Sequence, residues 1–185
     1  MQEVSRLRSI SRFAVSFLVL FLLLLVLGAP INYGPSDLLA PWPAGRAYTC
    51  IKGNFDDTHN IPFTYYGWDF DLPIGAPVVA ASSGVVHTVG YTGTDGYGDQ
   101  VRIKHRNGSY TLYGHLSEHL VRVGQFVQQG QLIGRSGETG YSFSPHLHFC
   151  VIDRDNYSYP SRFVDIGHPV TGMCCRSRNR APSIC

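Results

Sequence analysis

Apolar and polar positions alternate in short runs along most of the chain, and glycine, proline, serine and asparagine separate the runs. Alternation with a period of two predicts strands that bury one face. Such runs cover residues 78–81, 85–89, 101–105 and 109–116, followed by two short ones between 121 and 134 and a last one from 145 onward. Turns are expected at Ser82-Ser83-Gly84, in the glycine-rich stretch 91–99, at Arg106-Asn107-Gly108 as a hairpin, and in the Gly/Ser loop 136–144. No stretch sustains a helical period. The expected fold class is all-β, an antiparallel, sandwich-like sheet.

The N-terminus follows a different pattern. Arg6, Arg8 and Arg12 precede an apolar run, 13–27, broken only by Ser16. As a helix it would span roughly 25 Å, against ~30 Å of hydrocarbon. This is a signal anchor or a cleaved signal peptide. Pro30 directly after Ala29 is a poor cleavage context and favours the anchor. In either case the arginines stay inside and the rest is exported. The expected localisation is periplasmic or extracytoplasmic, anchored in the cytoplasmic membrane, or secreted if the segment is cleaved. The expected organisation is residues 1–29 as anchor or signal, 30–48 as a proline- and glycine-rich linker, 49–170 as one domain, and 171–185 as a basic, cysteine-containing tail expected to be loop.

Composition agrees with this reading. Twenty glycines and 11 prolines in 185 residues suit a turn-rich β protein. A net charge of +2 with scattered Lys and Arg excludes a nucleic-acid binder. Five cysteines fit an oxidising compartment. Cys50 with Cys150, and Cys174 or Cys175 with Cys185, are the natural disulfide pairs, although sequence alone does not fix the pairing.

The chemistry-bearing residues are histidines and one aspartate. In Pro145-His146-Leu147-His148-Phe149, His146 and His148 share one strand face while Leu147, Phe149 and Val151 share the other. Two imidazoles on one wall can hold a transition metal, or hold it with one ring and move protons with the other. In 109–116, Thr111, Tyr113 and His115 are expected on one polar face, opposite Tyr110, Leu112 and Leu116. Asp69, between Trp68 and Phe70, needs a partner if buried, and a metal would supply one.

Several motifs then occur in one order: Tyr66-Gly67-Trp68-Asp69-Phe70, Pro73-Ile74-Gly75-Ala76-Pro77, Gly96-Tyr97-Gly98, Leu112-Tyr113-Gly114-His115-Leu116-Ser117, Gly130-Gln131-Leu132-Ile133-Gly134, and Gly137-Glu138-Thr139-Gly140 ahead of the His-x-His strand. Over residues 50 to 152 the chain resembles the lysostaphin-type (LytM-like) zinc endopeptidases that cut peptidoglycan peptides. The resemblance implies a duplicated-hybrid-motif type of fold and one zinc ion. Asp69 and His148 would be metal ligands, and His115 and His146 the non-ligand catalytic pair. The usual first ligand belongs to His-x-Gly-x-Asp, but here Tyr65 stands in its place. Either His59, ten residues before Asp69, supplies the ligand, as in a variant of the family, or the site has lost zinc. His59 is the expected ligand, because the other functional positions are intact.

The implied function is a zinc metalloendopeptidase acting on peptidoglycan stem peptides, with the membrane as a partner through the N-terminal segment. The alternative is a zinc-free peptidoglycan-binding or amidase-activator domain of the same fold. A structural component of an envelope machine is a weaker third reading. Glu138 is a weak alternative base. Cys150 shares the His146/His148 face and is expected as a buried or disulfide-bonded thiol. A lipoyl- or biotinyl-carrier reading of 123–134 fails, because no Met-Lys-Met or following lysine is present.

Overall fold

Strands form where the alternation places them. The computed structural model describes residues 34–91 and 96–182, and the apolar run 13–27 and Cys185 lie outside them. The strands are β1 (Ala47–Lys52), β2 (Trp68–Phe70), β3 (Pro77–Val79), β4 (Gly84–Tyr91), β5 (Asp99–Lys104), β6 (Tyr110–His119), β7 (Phe126–Val127), β8 (Leu132–Ser136), β9 (Leu147–Ile152) and β10 (Cys174–Arg176). No helix occurs among the described residues. The strands pair antiparallel in the order β10-β1-β2-β9-β6-β5-β4-β7, with β8 joining β3 to β6. The all-β, antiparallel expectation holds.

β9 lies between β2 and β6, and every one of its residues is buried. Leu147, Phe149 and Val151 enter the main core with Trp68, Phe70, Tyr113 and Phe163. Cys150 and Ile152 face the other way, into a smaller cluster with Tyr97, Tyr110 and Leu112. His148 continues this second face by alternation. The β2–β9 register pairs Trp68 with Phe149, Asp69 with His148, and Phe70 with Leu147. Asp69 and His148 are thus direct cross-strand neighbours on one face, and a slip of either strand by one residue would turn its member of the pair toward the main core.

Two segments do more than their sequence suggests. Leu38, Ala40 and Trp42, in the stretch read as linker, are fully buried in the main core, where the Trp42 ring meets Phe70 at 4.8 Å. In the tail expected to be loop, residues 174–176 form β10 and pair with Ala47, Tyr48 and Thr49 of β1.

The expected Cys50–Cys150 disulfide is corrected. Both thiols are free and buried, Cys50 in the main core and Cys150 in the cluster on the opposite face. The sheet itself separates them. Burial pushes each thiol up to about 12. Cys174 and Cys175 are also free, and Cys185, their expected partner, lies outside the described residues.

Candidate active site

Three of the singled-out side chains meet on the second face. His59, Asp69 and His148 are all buried, and each offers a ligand atom within 4.8 Å of the others. Asp69 Oδ1 is the hub: His148 Nδ1 lies 2.8 Å from it and His59 Nε2 lies 3.3 Å from it. His59 comes from the turn-rich loop between β1 and β2. Its Nδ1 donates to the Gly53 carbonyl at 2.7 Å, which fixes the proton on Nδ1 and leaves the Nε2 lone pair facing a carboxylate oxygen. Two buried electron-rich atoms so close require a cation between them, either a proton or a metal ion. His59 Nε2 and His148 Nε2 are both buried without a hydrogen-bond partner. His148 fits because Gly67 has no side chain: a Cβ there would lie 2.8 Å from its Cε1.

Electrostatics agree with a cation site. Burial alone would raise the Asp69 carboxyl, but hydrogen bonds from His148 and His59 override it and hold the group far below the usual carboxylate range. His59 is likewise opposed by burial, yet its bond to Asp69 raises it above its ordinary value. Burial dominates at His148 and lowers it.

His115 and His146 stand beside this group. Their ring centroids are 4.5 Å apart, and His115 lies 6.0 Å from the His148 ring. His115 Nδ1 donates to Thr139 O at 2.7 Å, and His146 Nδ1 donates to Ser144 O at 2.8 Å. Both rings therefore have Nδ1 committed to backbone and Nε2 left for chemistry, and His146 Nε2 reaches within 3.8 Å of Asp69 Oδ1.

The expected face of His115 is corrected. Tyr113 and Leu116 both enter the main core, while Tyr110 and Leu112 lie in the second cluster. Strict alternation would send His115 into the core with Tyr113. Instead its φ is +59°, and the β6 pairing shifts register on both edges near it. This left-handed residue breaks the alternation and delivers the imidazole to the groove. The Thr111/Tyr113 face is an interior one, satisfied by a chain of bonds from His105 Nε2 through Thr111 Oγ1 to the Tyr113 hydroxyl.

Two loops lock the pair in place. Gly98 has φ +65°, and a Cβ on it would strike the Thr139 backbone at 2.4 Å, so only glycine lets loops 96–99 and 137–141 approach this closely. Thr139 Oγ1 donates to Leu116 O while its carbonyl holds His115.

Burial, helped by the neighbouring His148 and His146 rings, pushes His115 down to about 4 from 6.5. The unfolded chain takes up this proton first, so its contribution to stability is complete above about pH 6.5 and is lost as the pH falls toward 4. The difference corresponds to on the order of 3 kcal/mol in the metal-free protein. His59 titrates in the opposite sense, so the comparison that isolates His115 is against a variant. Urea unfolding of metal-free His115→Gln is expected to show a distinctly shallower loss of stability between pH 6.5 and 4 than the wild type.

These five residues line a cleft of about 390 Å³. Phe143 also lines it, as do Asn60, Tyr97 and Tyr141, to which the sequence pattern assigns no role. The signal for Tyr97 was its place in Gly96-Tyr97-Gly98; its ring stands 5.2 Å from that of His148. Tyr65 does not line the cleft, and its ring packs on Phe55 at 5.5 Å. Glu138 is exposed and also absent from the lining. Cys150 is not among the grouped ligand atoms.

Known proteins resemble this chain over part of its length. The chain is 46% identical over 119 residues to lysostaphin of Staphylococcus simulans, covering 64% of this chain and 21% of that protein. It is 44% identical over 110 residues to peptidoglycan DD-endopeptidase ShyA of Vibrio cholerae, covering 56% and 25%. The chain therefore spans about a quarter or less of the length of these curated relatives. Among solved structures, the catalytic domain of lysostaphin from Staphylococcus simulans superposes with a TM-score of 0.52 at 36% identity, over 65% of this chain and 88% of that one. A zinc-containing peptidase from Vibrio cholerae gives 0.53 at 35% identity, over 66% and 38%. Residues 64–160 match the description "Peptidase family M23", a span that holds Asp69, His115, His146 and His148 and starts just after His59. With that match extending over more than half of its 185 residues, the chain belongs to peptidase family M23.

Proposed function

We propose that this chain is a zinc-dependent endopeptidase that hydrolyses peptide cross-links of peptidoglycan, with His59, Asp69 and His148 as metal ligands and His115 and His146 as the catalytic pair. The observation that carries this reading is the convergence of His59 Nε2 and His148 Nδ1 on one Asp69 oxygen, beside two further imidazoles whose Nε2 atoms are free. Two imidazoles and a carboxylate suit zinc, and three protein ligands are the number found in catalytic rather than structural sites. The relatives named for action on peptidoglycan supply the substrate class. The apolar run 13–27 supports a location outside the cytoplasmic membrane, anchored in it, or secreted if the run is cleaved.

Bound zinc would supply Lewis acidity, polarising the scissile carbonyl and bringing the pKa of water toward neutrality. The remaining work falls to protein groups. His115 is neutral at neutral pH, with Nδ1–H tied to Thr139, so its Nε2 accepts the proton of the attacking water. The proton taken up by His115 Nε2 passes to the departing amine, and His146, held by Ser144 with its ring 4.5 Å from that of His115, presents a free Nε2 that can relay it. The carbonyl clamps fix both rings before substrate arrives, so little reorganisation is needed as charge develops. Tyr141 and Phe143, strongly exposed at the rim with rings 5.0 Å apart, form one wall of the substrate path.

The purified protein is expected to hold about one zinc per chain and to release peptide fragments from peptidoglycan, and a chelator is expected to stop the release. If zinc-loaded protein releases nothing from any peptidoglycan type, the reading gives way to the binding or amidase-activating domain.

A further inference from the structure

His59 is the one ligand of the proposed metal site that lies outside the sheet. Asp69 and His148 sit on paired strands, whereas His59 sits on an irregular loop ahead of β2. A ligand on a loop needs something to hold the loop, because a metal site requires its donors to be placed before the ion arrives.

The hold consists of a short chain of bonds. His59 is fixed twice, by its Nδ1 to Gly53 O at 2.7 Å and by its backbone N–H to Asp56 O at 2.8 Å. Gly53 and Asp56 are themselves tied, since the Asp56 carboxylate accepts from Gly53 N at 2.7 Å. The same carboxylate oxygen accepts from the Thr171 hydroxyl, and Thr171 Oγ1 in turn accepts from Gly53 N at 3.0 Å. Thr171 does not drift, because the adjoining turn is bonded to β1 through Gly172 N to Cys50 O at 2.8 Å and Cys50 N to Met173 O at 2.9 Å. Between the two anchors, Phe55 adopts φ +62°, a left-handed conformation that a non-glycine residue keeps only where its surroundings enforce it. Its backbone N–H bonds to Tyr65 O and its ring packs on Tyr66 at 4.9 Å.

We propose that Asp56 and Thr171 are positioning residues for the His59 imidazole: they form a hydroxyl–carboxylate–amide clamp from the C-terminal segment that sets metal affinity without touching metal or substrate. Both lie outside residues 64–160, as His59 does. The ligand and its clamp thus lie on the two sides of the matched span. The inference rests on the proposed zinc site and names what holds its third ligand.

The test is zinc affinity by competition with a chromogenic chelator, using the full chain as wild type, Thr171→Val, Thr171→Ser, Asp56→Asn and His59→Ala. The visible spectrum of each cobalt-substituted protein and the unfolding midpoint of each metal-free protein are recorded alongside. Thr171→Val and Asp56→Asn are expected to weaken zinc binding by about 10- to 100-fold, the range for partners that orient a ligand. They should also alter the cobalt bands, while Thr171→Ser behaves as wild type. The metal-free midpoints should not track the affinities, as they would if the clamp were only structural. Asp56→Asn carries the test if Thr171→Val does not fold. If His59→Ala loses zinc while Thr171→Val and Asp56→Asn bind as the wild type does, the clamp is refuted and the zinc site stands. If the wild type itself binds no zinc, the site reading falls and the clamp falls with it.

Discussion

His115→Ala and His146→Ala are each expected to reduce peptidoglycan hydrolysis by about 10²- to 10⁴-fold while the protein still holds one zinc per chain. The reason is positional. Neither ring belongs to the grouped ligand atoms, yet both stand within one ring's reach of them, and both have Nδ1 spent on a backbone carbonyl. Removing either imidazole leaves the closer contacts of Asp69, to His148 at 2.8 Å and His59 at 3.3 Å, in place. It does remove a group able to move a proton at the point where charge develops. The double variant is expected to be scarcely worse than either single one, because the two rings act in one step and such losses do not add. The measurement pairs metal content by atomic absorption with release of soluble fragments. Loss of zinc along with activity in His115→Ala would show that this ring is a ligand and would redraw the site.

Much of this arrangement was legible in the sequence. Along β9 and β2 the alternation is strict, so Leu147 and Phe149 could be assigned to the core and His148 and Asp69 to the other face. Strict alternation is also why His115 was misplaced. Its delivery depends on one left-handed residue, and the only trace in the sequence is that the core positions Tyr113 and Leu116 stand three apart rather than two or four. β10 was invisible for a different reason. Three residues at a sheet edge, Cys174-Cys175-Arg176, carry no period, and their pairing with β1 is set by contacts from far along the chain. The disulfide expectation failed because opposite faces of a sheet cannot be told apart without knowing which strands are neighbours. The clamp at His59 lay deeper still: Asp56 and Thr171 are 115 residues apart, and nothing local in either marks it.

His59→Ala is expected to weaken zinc binding by more than about 100-fold and to lose hydrolysis in step. Outer-shell partners of zinc ligands already cost about 10- to 100-fold when removed, and a ligand contributes more than its support does. The vacancy has no evident substitute. Tyr65, which stands where the family pattern places a histidine, is turned toward Phe55 and does not line the cleft. Cys150 is buried among Tyr110, Leu112 and Ile152, its thiol held up to about 12, too high for a thiolate to form readily. Removing the His59 ring also takes from Gly53 O its 2.7 Å partner and from Asp69 Oδ1 the imidazole nitrogen 3.3 Å away, so the Asp69 carboxyl should rise from its depressed value. Activity at saturating zinc separates two outcomes. A variant that regains wild-type hydrolysis there has lost affinity only. One that stays inactive has also lost the geometry that three donors impose. His59→Ala binding zinc as tightly as the wild type would remove this residue from the metal site, and the family's first ligand would then have no counterpart in this chain.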